Sequence, residues 1–148
     1  MITNERQFRI TKSQHEKLNE ALNGFDLDAA TRRIGSRVLA EAELAALKSQ
    51  ASDLSDEIRE YEALKSGTMS VLKARSLSEL PTILIRARIA KGLSQQALAE
   101  KLGLKEQQIQ RYEAEGYSSA SLRRLGEVAD ALNLNITGVA EFTDACAA

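Results

Sequence analysis

The sequence predicts an all-α protein. Helix-favouring residues fill most positions, and the chain has one proline and no tryptophan. Between residues 36 and 65 no glycine or proline interrupts the chain, and apolar residues recur there at intervals of three and four. Short helical patterns separated by turn residues follow from residue 80 onward. We therefore expect a long N-terminal helix followed by a small C-terminal domain of five helices.

A shorter helix is predicted ahead of the long one. Thr11 and Gln14 have the spacing of a capping box, so this helix is expected to begin at Thr11 and to end at Gly24. Before it, Phe8 and Ile10 alternate with polar residues, which is compatible with a brief extended segment.

The long helix carries a narrow apolar seam. Its spacing alternates between three and four over nearly three heptads, at Leu44, Leu47, Ala51, Leu54, Ile58 and Tyr61. Such a seam needs a partner helix. We predict that Leu44, Leu47, Leu54, Ile58 and Tyr61 form a coiled coil between two copies of the chain. The alternative is an intramolecular hairpin, in which the first helix folds back onto the same seam.

The domain boundary is predicted at the break after the long helix. Residues 1–66 are expected to serve dimerisation or partner binding, residues 67–77 to form a linker, and residues 78–148 to form the C-terminal domain. The helices of that domain are expected at Leu80–Lys91, Gln95–Leu102, Lys105–Glu113, Ser119–Leu132 and Thr137–Phe142. Ser94 is the expected N-cap of the second of them.

Only Gly103 and Leu104 separate the second and third of these helices. Two helices joined by so short a turn cross at a steep angle, and Gly103 is expected to adopt a conformation that larger residues resist. The segment from Arg88 to Glu113 reads RIAKGLSQQALAEKLGLKEQQIQRYE. It resembles the helix-turn-helix of the lambda-repressor-like, or Xre, family. The matching positions are Gly92, Leu93, Ser94, Gln95, Leu98, Ala99, Leu102, Gly103, Ile109 and Glu113.

The resemblance implies roles for the polar residues of both helices in binding double-stranded DNA. In this family the second helix lies over the DNA backbone and the third enters the major groove. Phosphate contacts are therefore implied for Ser94, Gln95, Gln96 and Lys105, and base contacts for Glu106, Gln107, Gln110 and Arg111. Glu106 departs from the expected chemistry, because a carboxylate repels phosphates and suits mainly a cytosine amino group.

Two further features agree with this expectation. The resemblance implies a structural salt bridge between Arg88 and Glu113, linking the first and third helices of the domain. Between Leu84 and Leu125, eight basic residues stand against four acidic ones, although the whole chain has a formal net charge of −1. The local excess of positive charge lies in the part that is expected to meet DNA.

Other classes of function find little support in the sequence. His15 is the only histidine and Cys146 the only cysteine, so no metal site, disulfide or cofactor is expected. No nucleophile and base stand in a catalytic pattern, and no apolar stretch reaches the length of a membrane span. We expect a cytoplasmic protein that is not an enzyme.

The resemblance implies a transcriptional regulator, of the repressor kind, that binds double-stranded DNA at an inverted repeat as a homodimer. The alternative is an antitoxin of the HigA kind, which would bind a toxin through residues 1–66 and regulate its own operon. The sequence contains no motif specific for a toxin.

Overall fold

The structure is a computed structural model, and it describes residues 1–67 and 71–138. These ranges contain α-helices, one short 3-10 helix at Leu77–Glu79 and no β-strand, which confirms the all-α prediction for them. The helices are α1 (Glu5–Asn23), α2 (Leu27–Ile34), α3 (Arg37–Lys65), α4 (Leu80–Ala90), α5 (Gln95–Leu102), α6 (Glu106–Ala114) and α7 (Leu122–Ala131).

Helix α1 starts earlier than the sequence predicts. Its N-cap is Asn4, whose side chain accepts a hydrogen bond from the Gln7 amide at 2.9 Å. Thr11 lies inside the helix, so the predicted capping box and extended segment are wrong. The reason is tertiary packing: the Phe8 ring stacks on Tyr61 of α3 with ring centroids 5.0 Å apart. The stacking contact stabilises a helical conformation at the start of α1, where the sequence pattern alone fits either a helix or an extended segment.

The sequence reading missed helix α2. Its caps are nevertheless local: Asp26 accepts from the amides of Asp28 and Ala29, and Gly35 ends the helix with φ at 80°. Ala30 is buried, and α2 packs against α3. Helix α2 therefore covers part of the α3 seam and connects the two longer helices.

The Asp26 cap makes a testable contribution to acid stability. Hydrogen bonds from the Ala29 and Asp28 amides lower the pKa of the Asp26 carboxyl. Because the pKa is lower in the folded state, the stabilisation is present above the unfolded value of about 3.9 and is lost as the pH falls through the folded pKa. Asp26→Ala is expected to lower the melting temperature at neutral pH, whereas Asp26→Asn retains the cap.

Thermal unfolding of the wild type and of Asp26→Asn, between about pH 7 and about pH 3, measures the contribution of the carboxylate charge. The wild type is expected to lose more stability on acidification than this variant. Identical pH profiles for the two proteins would show that folding does not lower the pKa of the Asp26 carboxyl.

Helix α3 confirms the predicted long helix and identifies the partner of its seam. Helices α1 and α2 of the same chain pack against α3, so a helical hairpin is present within one chain. Tyr61 is 5% exposed and Ala51 is 6% exposed within that chain. The other seam residues, Leu44, Leu47, Leu54 and Ile58, are half-buried. Dimerisation through these residues stays a prediction.

The C-terminal helices follow the predicted boundaries closely. Pro81 lies in the first turn of α4, and Ser94 caps α5 by accepting from the Ala97 amide at 3.0 Å. Leu122, the first residue of α7, is 71% exposed, whereas Val128 and Ala129 of the same helix are buried. The predicted last helix, Thr137–Phe142, begins in described residues that are not helical, and from residue 139 it lies outside the described residues.

One hydrophobic core joins the hairpin to the C-terminal helices. Tyr61 and Leu64 of α3 belong to the same cluster as Leu84, Leu98 and Ile109. Polar contacts cross the same boundary: Arg86 pairs with Glu60, and Arg88 Nη2 donates to the Thr3 carbonyl oxygen at 2.6 Å. The regions on either side of residues 67–77 are therefore packed together, although residues 71–76 form no regular secondary structure.

Candidate nucleic-acid interface

Helix α6 is anchored by one face and leaves its polar edge in solvent. Ile109 is fully buried, and Tyr112 is 8% exposed. The four residues predicted to read bases are all exposed: Glu106, Gln107, Gln110 and Arg111. The helix therefore presents the side chains that a recognition helix requires.

The turn ahead of α6 has the predicted geometry. Gly103 ends α5 with φ at 65°, in the left-handed region. A Cβ atom at this position would meet nothing within 4 Å, so the requirement for glycine is one of backbone conformation and not of space. The steep corner between α5 and α6 depends on this conformation.

A buried ion pair fixes α6 relative to α4. Arg88 Nε lies 2.5 Å from Glu113 Oε1, and Arg88 Nη2 lies 2.7 Å from Glu113 Oε2. Both side chains are almost inaccessible, at 3% and 1% exposed. Arg88 also donates through Nη1 to the Leu93 carbonyl at 2.8 Å. The pair implied by the resemblance is thus present, and additional hydrogen bonds satisfy its remaining polar groups.

The structure does not support the phosphate contact predicted for Gln95, because the side chain is buried. Its Nε2 donates to Glu113 Oε2 at 2.7 Å, and the residue is only 8% exposed. The buried carboxylate needs more donors than one guanidinium supplies in this geometry, and the Gln95 amide provides one. The side chain therefore supports the ion pair, whereas Ser94, Gln96 and Lys105 remain exposed.

The two charged residues on the exposed edge of α6, Glu106 and Arg111, differ in whether they have a partner within the described residues. Glu106 Oε1 accepts from Gln110 Nε2 at 3.0 Å. Within residues 1–67 and 71–138, Arg111 forms no salt bridge of 4.0 Å or less. Its guanidinium is thus available for a bidentate contact, which on DNA favours guanine.

The sequence analysis did not predict that the start of α1 lies opposite α6, across a cleft. A cleft of about 1040 Å³ separates α6 and the start of α5 from the beginning of α1. Ser94, Gln95, Glu106 and Gln110 line one side of it, and residues 3–7 with Ile10 line the other. The Asn4 cap could have indicated where α1 begins, but its position beside the C-terminal helices depends on tertiary contacts such as that of Arg88 with the Thr3 carbonyl.

No competing chemical centre is evident in the described part of the chain. The described residues contain no group of three or more His, Cys, Asp and Glu side chains able to hold a metal ion. Asn19 Nδ2, one turn away on α1, lies 3.2 Å from His15 Nε2. Cys146 lies outside the described residues. Among the described helices, none combines the length and apolar character needed to cross a membrane.

Comparison with known proteins supports the interpretation of the C-terminal helices. Residues 84–139 match a family model described as Helix-turn-helix. No curated protein and no solved structure matches the chain. The matched segment includes α5, α6 and α7 and most of α4. This part of the chain is therefore a helix-turn-helix domain, the kind of domain that DNA-binding transcriptional regulators carry.

Proposed function

We propose that the protein is a repressor that binds a specific double-stranded DNA sequence through α6. The observation that carries this proposal is the exposed polar edge of α6 directly after the Gly103 corner. Gln107 and Arg111 lie on that edge, one turn apart, as hydrogen-bonding groups for adenine and guanine. The exposed Ser94 at the start of α5 supplies a neighbouring contact for the backbone.

The proposed regulator acts in the cytoplasm as a homodimer on an inverted repeat, and it is not an enzyme. Two recognition helices that read successive major grooves are separated by about 34 Å, one turn of the double helix. Footprinting on the region upstream of the gene tests the proposal, since two protected half-sites one turn apart are expected. Sequence-independent retention at physiological salt would contradict it.

Arg111 provides the sharpest single-residue test of base reading. Arg111→Ala is expected to weaken binding to the protected sequence by about 1–3 kcal/mol and to relax specificity at one base pair. The melting temperature should change little, because the side chain is exposed. Equilibrium binding titrations on the operator and on single-base variants provide the measurement.

Arg123→Ala is the matched control, since Arg123 is 90% exposed at the start of α7 and pairs with Glu127. Equal losses of operator affinity in the two variants would indicate a general charge effect and would argue against base reading by Arg111.

A second candidate function is that of an antitoxin whose N-terminal hairpin binds a toxin. The observation that favours it is the apolar start of α3, where Val38 is 74% exposed and Leu39 is 57% exposed. Exposed neighbouring apolar side chains of this size are suited to burial against a partner protein. DNA binding would then serve autoregulation.

Co-expression with the small protein encoded next to this gene distinguishes the two functions. Growth arrest by the neighbour alone, relieved by this chain but not by its Val38→Asp variant, is the result expected of an antitoxin. A harmless neighbour that does not co-purify would leave the repressor as the supported function.

A further inference from the structure

DNA that reaches the start of α5 and the Glu106 end of α6 enters the cleft described above. Ser94 and Glu106 lie on its domain side, whereas Arg6 and Ile10 of α1 lie on the opposite side. Any duplex contacting the first pair therefore approaches the second. Helix α1 thus takes part in the encounter with DNA, either as a contact or as an obstacle.

The start of α1, which forms one side of the cleft, is held in place by three contacts with α3 and α4. Arg88 Nη2 donates to the Thr3 carbonyl at 2.6 Å, and Lys65 Nζ lies 2.6 Å from Glu5 Oε2. On the next turn of α1, the Phe8 ring stacks on Tyr61. The start of α1 is therefore held at a fixed place on the surface, so its backbone needs little further ordering when a ligand binds.

Among the basic residues that line the cleft, Arg6 is the one that forms no salt bridge within residues 1–67 and 71–138. Glu5 is paired with Lys65, and Arg88 is paired with Glu113. Arg6 lines the cleft and is exposed, and within the part of the chain that the structure describes it forms no salt bridge. A guanidinium on a cleft wall, free of internal carboxylates, is suited to bind a phosphate.

The carboxylate of Glu106 restricts where a phosphate can lie in this cleft. It repels an anion on the α6 side, and its Oε1 is already engaged with Gln110. A DNA strand is therefore expected to run between Arg6 and Ser94, so that Glu106 faces a base edge.

We propose that α1 is a second DNA-contacting element, in which Arg6 binds a phosphate of the backbone strand that also meets Ser94. This inference rests on the proposed function and deepens it. The hairpin thereby extends the DNA contact beyond the helix-turn-helix domain and clamps one strand between α1 and α5. Its contribution is independent of sequence, because phosphates carry no sequence information directly.

The test is Arg6→Ala in the full chain, with Arg9→Ala as the matched control. Arg9 is an exposed arginine on the same helix and does not line the cleft. Affinity is measured over a series of salt concentrations on the operator and on a random duplex. Arg6→Ala is expected to weaken binding to both by about three- to tenfold and to reduce the salt slope by about 0.9. Arg6→Lys should keep most of the salt slope, and Arg9→Ala should resemble the wild type.

Four results overturn the proposal. Identical salt slopes for Arg6→Ala and Arg9→Ala would show that α1 makes no phosphate contact there. Tighter binding by Arg6→Ala would show that α1 obstructs DNA. A wild type that binds no duplex would remove both this proposal and the proposed function. A wild type with a specific footprint, sensitive to Arg111→Ala but not to Arg6→Ala, would remove this proposal alone.

Discussion

Replacing Glu113 with alanine is expected to lower the free energy of unfolding by about 3–5 kcal/mol. The change leaves the Arg88 guanidinium buried without its carboxylate, and Arg88 is 2% exposed. It also removes the acceptor of the Gln95 amide. The loss is large because a buried charge without a partner keeps its desolvation cost and loses its compensation. Denaturant-induced unfolding followed by circular dichroism provides the measurement.

Glu115→Ala is the matched control for this variant. Glu115 follows the last residue of α6 and is exposed, where it accepts a hydrogen bond from Ser119. Its replacement is expected to change stability by less than about 0.5 kcal/mol. The double variant Arg88→Met/Glu113→Leu should recover much of the loss, since apolar side chains of similar volume can replace a buried pair. A loss below about 1 kcal/mol for Glu113→Ala would show that Arg88 gains access to water at little cost.

Leu64→Ala is expected to destabilise the hairpin and the helix-turn-helix domain together, by about 2–5 kcal/mol. Leu64 is 2% exposed near the end of α3 and belongs to the core cluster that contains Leu84 and Leu98. Removing its side chain leaves a cavity between the two regions. Because they share this core, both should unfold in one cooperative transition, at a lower denaturant concentration in the variant than in the wild type.

Hydrogen exchange distinguishes cooperative unfolding of the two regions from independent unfolding of each. Protection of amides in α6 and α7 should fall in Leu64→Ala, although the substitution lies in α3. Val38→Ala, at a position of the same helix that is 74% exposed, is the control and should leave protection unchanged. Unfolding in two separate steps, with α6 and α7 protected as in the wild type, would contradict a shared core.

Most of the helix-turn-helix domain could be predicted from local chemistry. The Ser94 cap, the Pro81 start and the Gly103 corner depend on interactions within a few residues, so they can be read directly along the chain. The exposure of Gln107 and Arg111 follows from the burial of Ile109 and Tyr112 on the same short helix. The candidate recognition surface was therefore accessible to sequence reasoning.

The partner of the α3 seam could not be predicted in the same way. A three-and-four spacing requires an apolar partner, but the spacing is identical whether that partner is a second chain or a helix of the same chain. Within one chain, the structure packs α1 and α2 against α3 and buries Tyr61. The early start of α1 in turn depends on Phe8 stacking against a residue more than fifty positions away.

The sequence by itself determined the helical class, the two-helix corner and the polar edge of α6. Those properties arise from hydrogen bonds and side-chain periodicity between near neighbours in the chain. Only the tertiary structure decided that Arg6 faces Ser94 and Glu106 across a cleft, and that Gln95 turns inward to Glu113. Such arrangements depend on which distant surfaces are buried together, and that choice is made by the packing of the whole core.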